Sequence, residues 1–342
     1  MVVSQDLDGE NLTAYLEGQI PSFRGPITVE KFPRGQSNPT YAIHTPDARY
    51  VLRRKPLGKL LKSAHAVDRE YRVLKALAGT DVPVPQVFHL CTDNEVIGSW
   101  FYVMEYISGR VLWDPALPNF LPHDRTSVYE ELNRVLAAIH QVDIEAMGLT
   151  NFGQPGNYYE RQVNRWTKQY RASEVRNIRE METLIEWLPK NVPPDDGWIS
   201  LIHGDFRLDN IIFSSNGCRA IAVLDWELST IGHPIADLAY QCMQRHMGQD
   251  LYFAGLANLD TEKLGIPSES KFIETYCQRM GIDHIEHWSF YLACSFFRLA
   301  AICQGVEKRA LDGNASSEHA LKLGAMVEPL ARLGNEALEQ AT

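Results

Sequence analysis

LIHGDFRLDN, residues 201–210, sets two aspartates, a histidine and an asparagine within ten positions of an otherwise apolar stretch. Two short apolar runs follow, IIF at 211–213 and AIAVL at 220–224, and they flank SSNG, a turn with the asparagine and glycine that hairpins favour. A second acidic cluster, LDWE at 224–227, closes the other arm. A hairpin holds its two ends side by side, so Asp205, Asn210 and Asp225 are expected to lie together. Carboxylates converging with a carboxamide offer hard oxygen ligands, which suit Mg²⁺ rather than zinc. One acid is then free to face a reacting hydroxyl while the other acid and the amide hold the metal.

Outward from this hairpin the chain divides in character. From about residue 27 to 107 it reads as short strands: ITVEKF, TYAIHT, RYVLRR, QVFHLC and WFYVMEY carry branched and aromatic residues, with GQSNP, TPD and TDN as turns between them. Between the third and fourth strands, SAHAVDREYRVLKAL spaces Val67, Val73, Leu74 and Leu77 for a helix. Beyond ISGR at 107–110 helical patterns dominate, in RTSVYEELNRVLAAIHQV, YYERQVNRWTKQYRAS, EVRNIREMETLIEWL and most of 234–342. The expectation is an α+β fold, with a strand-rich part over 1–105 and a mostly helical part over 106–342 that carries the hairpin.

The totals exclude several classes. With 342 residues the chain can bury a large core, and 45% hydrophobic with 22% charged residues is a globular composition. The formal net charge of −10 disfavours non-specific binding to nucleic acid or anionic membrane. The acidic opening MVVSQDLDGENLTAYL lacks the apolar core of a secretory signal, and no run approaches the roughly 20 uninterrupted apolar residues of a membrane span. A cytoplasmic enzyme is the expectation. The six scattered cysteines show neither C-x-x-C nor zinc spacing and read as reduced structural thiols.

The motif D-x-x-x-x-N followed after a hairpin by a second aspartate resembles the protein-kinase catalytic loop and metal-binding aspartate, with HGD in place of HRD and DWE in place of DFG. The variant is similar to the aminoglycoside phosphotransferase and choline kinase branch of the kinase-like superfamily. HGDFRLDNIIF, VLDWELSTIGHPIADLAY and FFRLAAICQGVEKRA look most similar to phosphotransferases fused to, or encoded beside, acyl-CoA dehydrogenases. The resemblance implies a bilobal kinase-like fold, use of ATP and Mg²⁺, and transfer to a hydroxyl. Carried over by position, it makes Asp205 the residue that accepts or orients the hydroxyl proton. Asn210 and Asp225 would hold Mg²⁺ against the phosphates, and His203 and Asp237 would support the loop from behind.

Nucleotide-binding pieces follow in the chain order the resemblance implies. RGQSNPT at 34–40, with Gly35, Gln36, Ser37 and Asn38, would lay backbone N–H groups over the phosphates; an ordinary turn would look the same. Along RYVLRRKP, Val51 and Arg53 share one face of a strand. Arg53 therefore takes the place of the usual kinase lysine, as in choline kinases, and can grip phosphate bidentately; a slip in register would hand the role to Arg54 or Lys55. Glu70 is its natural ion-pair partner. VMEYISG reads as the hinge, with backbone of Glu105 and Ile107 on the adenine edge and Met104 behind it.

The phosphate acceptor is argued from charge. Arg161, Arg165 and Lys168 share one face of a helix in an acidic chain. With Arg298, an arginine in the apolar YLACSFFRLAAIC, they would suit an anionic acceptor, for which a hydroxyacyl-CoA is the first choice and an aminoglycoside or other amino-alcohol the second. The bland alternative for the stripe is a solvated face neutralised by glutamates. His284 and His287 are expected to serve a surface or capping role. A functional link to an acyl-CoA dehydrogenase is implied by the resemblance alone, and a nucleotide-binding pseudokinase that regulates a partner is the rival of another class.

Overall fold

The computed structural model describes residues 7–32, 38–57, 66–313 and 317–339. It opens with α1 (Gly9–Gln19), capped by the Asp8 carboxylate accepting from the Asn11 N–H at 3.1 Å. Five strands form one antiparallel sheet in the order β1 (Thr28–Lys31), β2 (Thr40–His44), β3 (Arg49–Arg54), β5 (Phe101–Glu105), β4 (Val87–Cys91). Two helices lie between its strands in sequence, α2 (Val67–Leu77) and the short α3 (Asn94–Ile97). Alternation along β3 and β5 decides which core each residue joins. Leu52, Phe101 and Val103 turn outward to pack with Leu12, Leu16 and Phe23 under α1. Val51, Tyr102 and Met104 turn inward, join Val73, Leu74 and Leu77 of α2, and continue into the core of the helical part.

That helical part carries α4 (Pro122–His140), with proline in its first turn, then α5 (Tyr158–Ser173) and α6 (Arg179–Trp187). Residues 174–178, expected to be helical with the segment after them, are not: Glu174 ends α5 in an extended conformation and Ile178 enters α6 in one. The hairpin of β8 (Ile211–Phe213) and β9 (Ala220–Val223) closes through the Ser214 N–H on the Arg219 carbonyl at 2.8 Å. Two small pairings escaped the sequence pattern. β6 (Arg110–Val111) adds to β8, and β7 (Ser200–Ile202), leading into the HGD loop, pairs with β10 (Thr230–Gly232). The chain continues through α7 (Ile235–Cys242), α8 (Thr261–Leu264), α9 (Glu269–Met280), α10 (Trp288–Leu311), α11 (Ser317–Gly324) and α12 (Val327–Glu339).

The helix α10 is long and apolar enough by composition to cross a membrane, but 78% of its most apolar window is buried inside the protein, where α5, α7 and α12 surround it. It is the core helix of this part. Five of the six cysteines are buried and none is in a disulfide. His287 sits at the start of α10 with φ 56°, a capping position, and His284 is exposed beside Glu286.

Gly109, just before β6, has no room for a side chain: a Cβ there would overlap the Phe213 carbonyl and the Ile212 side chain. Gly109→Ala is expected to cost about 2 kcal/mol by forcing β6 off β8, read as a lowered urea midpoint. An unchanged midpoint would show that this pairing is dispensable.

Candidate active site

The HGD loop leaves β7 at His203 and is held from below by Asp237, a fully buried carboxylate in the first turn of α7. Its Oδ2 accepts the His203 N–H at 2.6 Å and its Oδ1 accepts the Gly204 N–H at 2.8 Å, with His140 Nε2 at 3.4 Å. Burial alone would raise this carboxyl; His140 and His203, the latter through its backbone N–H, hold it below the usual range instead. His203 is also fully buried, its ring 4.8 Å from that of Trp226. Its Nδ1 accepts the Asp205 N–H at 3.2 Å, so its Nε2 carries the hydrogen that bonds the Leu224 carbonyl at 2.8 Å. Gly204 has φ 83°, and a Cβ there would come within 2.6 Å of the Leu228 carbonyl; only glycine fits this turn.

Asp205 and Asn210 meet directly. The Asn210 Nδ2 donates to Asp205 Oδ2 at 3.0 Å and to the Asp205 carbonyl at 2.8 Å, which turns its own Oδ1 away as an acceptor. The hairpin brings the second arm alongside, since the Leu224 N–H bonds the Asn210 carbonyl at 2.8 Å, and Asp225 follows at φ 64°. Asp225 in turn meets Arg53, whose Nη2 lies 2.6 Å from its Oδ1. Arg53 is the bridge between sheet and hairpin: its Nε is 3.1 Å from the buried Glu70 and its Nη2 is 3.6 Å from Glu227. Arg54 faces the other way, donating to Ser99 Oγ at 2.9 Å, and Lys55 lies over the Trp100 ring at 4.0 Å. Burial would lower the Arg53 guanidinium, but Glu70, Asp225 and Glu227 hold it above its ordinary range.

Asn38, buried on the sheet side, donates its amide to Glu227 at 3.2 Å, while Gly35, Gln36 and Ser37 lie outside the described residues. At the hinge, Met104 is buried, and the Glu105 N–H is already given to the Gln86 carbonyl at 2.8 Å. A base at this edge would therefore meet the Glu105 carbonyl and the backbone of Ile107 rather than that N–H.

The three arginines expected to meet an acceptor have separate fates. Arg298 reaches the HGD loop, donating to the Gly204 carbonyl at 2.5 Å between the rings of Trp166 and Tyr240. Arg161 is occupied with the Gln154 and Pro155 carbonyls, and Arg165 is exposed over Trp166. Arg171, further along the same helix, is neutralised by Glu174 and Glu182. Sequence reasoning passed over Arg207, which the loop folds back on itself: its Nε is 3.5 Å from Asp205 Oδ1 and its Nη2 donates to Asp209 at 2.9 Å. Its signal was a lone basic residue two positions after Asp205.

The site's donor chemistry fits a hard cation. Among the described residues no cluster of three or more His, Cys, Asp or Glu side chains forms a metal cage. Asn210 Oδ1 and the Asp225 carboxylate are oxygen donors of the kind that share Mg²⁺ with phosphates and water.

Residues 28–264 match the family model described as the phosphotransferase enzyme family. The chain belongs to that family. A crystal structure of a Ralstonia eutropha protein, described as a candidate aminoglycoside phosphotransferase, is 49% identical and superposes with a TM-score of 0.89 over 98% of this chain and 99% of its own. Acyl-CoA dehydrogenase family member 10 of Mus musculus is 48% identical over 335 residues, 97% of this chain and 31% of its own length. The chain thus spans about a third of that relative. Choline kinase from Cryptosporidium parvum, at 14% identity and a TM-score of 0.68 over 98% of this chain and 97% of its own, shares the kinase-like fold.

The phosphotransferase's buried acid also sets a pH dependence. Burial pushes the Glu70 carboxyl from 4.5 up to about 7, against the pull of Arg53. Folded Glu70 keeps its proton where the unfolded chain has lost it, so its contribution to stability is full below 4.5 and is lost as pH rises to about 7. The Tm of wild type minus that of Glu70→Gln should therefore fall across this window and level off above it. A constant difference from pH 4.5 to 8 would refute the shifted titration.

Proposed function

We propose that the chain transfers the γ-phosphoryl group of ATP, with Mg²⁺, to a hydroxyl of an anionic small molecule, a hydroxyacyl-CoA being the first choice. The observation that carries the reading is the two-sided hold of Asn210: its amide N–H groups bond Asp205, and its backbone carbonyl accepts the Leu224 N–H, the residue before Asp225. A base and a metal seat are thereby joined through a single residue. Asp205 orients the acceptor hydroxyl and takes its proton. Asn210 and Asp225 hold Mg²⁺, which would neutralise charge on the transferring group. Arg53, kept in place by Glu70, grips phosphate oxygens. Arg207, whose buried Nε has no hydrogen-bond partner, has a donor to spare beside Asp205 for the same charge.

Support for the acceptor comes from the ground around Asp205. Arg207 is a cation directly beside Asp205, and Trp166, Tyr240 and Phe253 line Arg207 and Arg298 with aromatic surface. Such a wall suits an anion with an apolar body better than a polycation. The acyl-CoA dehydrogenase name of the mouse relative points to acyl-CoA chemistry, and a dehydrogenase partner would follow from it.

Two measurements test the reading. Asp205→Asn should bind Mg·AMP-PNP within about twofold of wild type yet transfer phosphate about 10³-fold more slowly, whereas Asp225→Ala should lose both; transfer by Asp205→Asn at the wild-type rate removes Asp205 from its role. Separately, ADP release should be fastest with hydroxyacyl-CoAs when these are screened beside aminoglycosides and choline-like amino-alcohols. Preference for a cationic acceptor would overturn the anionic assignment. No release with any acceptor, despite nucleotide binding, would favour a pseudokinase.

A further inference from the structure

The ion pair of Arg53 and Glu70 works only if α2 keeps its place against the hairpin, and apolar packing alone does not fix that place. Val73, Leu74 and Leu77 bury α2 against the sheet, but such contacts are non-directional and tolerate sliding. Ala66 at the N-terminus of α2 supplies no side-chain cap. The directional bonds come from the residue beside Glu70. Arg69 Nη2 donates to the Phe152 carbonyl at 2.6 Å and to the Ser229 carbonyl at 3.3 Å, and its guanidinium lies 4.1 Å from the centre of the Phe152 ring. One turn on, Arg72 donates to the Gly148 carbonyl at 2.6 Å and to Asn151. Ser229 caps the short turn Trp226–Leu228 that directly follows Asp225. One guanidinium thus ties the helix bearing Glu70 to the turn that follows Asp225, and these two acids stand on either side of Arg53.

We infer that Arg69 is a positioning residue for phosphoryl transfer, fastening α2 to the loop at 152 and the turn at 229 so that Glu70 and Asp225 are both presented to Arg53. Its partners are backbone carbonyls, so their recognition depends on the planar geometry of the guanidinium as well as on its charge. This rests on the assignment of Arg53 and Glu70 to the nucleotide, and the test separates the two. Calorimetry with Mg·AMP-PNP, which needs no acceptor, is carried out on wild type, Arg69→Gln, Glu70→Gln and the double variant. Each single change is expected to raise Kd about tenfold, and the double variant should also stand about tenfold above wild type rather than a hundredfold, because both remove the same presented Arg53. A merely structural arginine would give multiplying losses. Arg69→Lys should fall between wild type and Arg69→Gln, and it replaces Arg69→Gln in the cycle if that variant does not fold. An unchanged Kd for Arg69→Gln, or a hundredfold loss in the double variant, overturns the inference. An unchanged Kd for Glu70→Gln alone overturns the nucleotide assignment of the pair, and the inference with it.

Discussion

Asp237 is a carboxylate with no access to solvent, and the geometry of the HGD loop depends on what it is bonded to. Burying a charge is costly unless donors replace the water it loses. Here two consecutive backbone N–H groups and His140 do so. The exchange works in both directions, because a tight turn at Gly204 exposes amides that no strand or helix partner can use, and a buried amide left without a partner costs about 1–3 kcal/mol. The remaining polar atoms of the loop are taken up in the same way. Arg298 takes the Gly204 carbonyl and Asn210 takes the Asp205 carbonyl. With its backbone bonded on every side, the loop leaves the Asp205 side chain as the group it presents.

The second fixed point is Arg53, a single guanidinium spanning Glu70 on the sheet side and Asp225 and Glu227 on the hairpin side. A buried ion pair gains little net stability over an apolar substitute, but breaking one leaves an uncompensated charge. The value of this arrangement lies in geometry. It ties the sheet to the turn after β9.

The hairpin, its two acidic ends and the Arg53 face were legible because each rests on local rules: asparagine and glycine in a turn, period-two alternation, and short spacing between acids and amide. Asp237 was legible only through resemblance, since nothing local marks an aspartate whose partners are backbone amides about thirty-three residues earlier. The stripe of Arg161, Arg165 and Lys168 illustrates the opposite failure. Its spacing on one helix face was read correctly, but a shared face does not say what the face meets, and Arg161 turns to the loop before the helix. Arg207 was overlooked because its partner Asp205 was read as a site residue and not as the neighbour of a charge, and Asp209 was given no role at all. The strands β6, β7 and β10 are two or three residues long, too short for alternation to register.

Partner chemistry sorts the arginines of this chain better than their position in the sequence does. Arg69, Arg110, Arg125 and Arg298 donate to backbone carbonyls of loops, as Arg125 does to Ala116 and Leu117. An incoming anion does not compete for such bonds, because releasing the carbonyl would leave a buried acceptor unpaired. Arg53 and Arg207 are different. Their partners are Asp225, Glu227, Asp205 and Asp209, acids clustered at the mouth of the hairpin. A cation drawn to those carboxylates and a phosphate drawn to those guanidiniums would replace each ion pair with two new ones. Such an exchange would keep every charge matched.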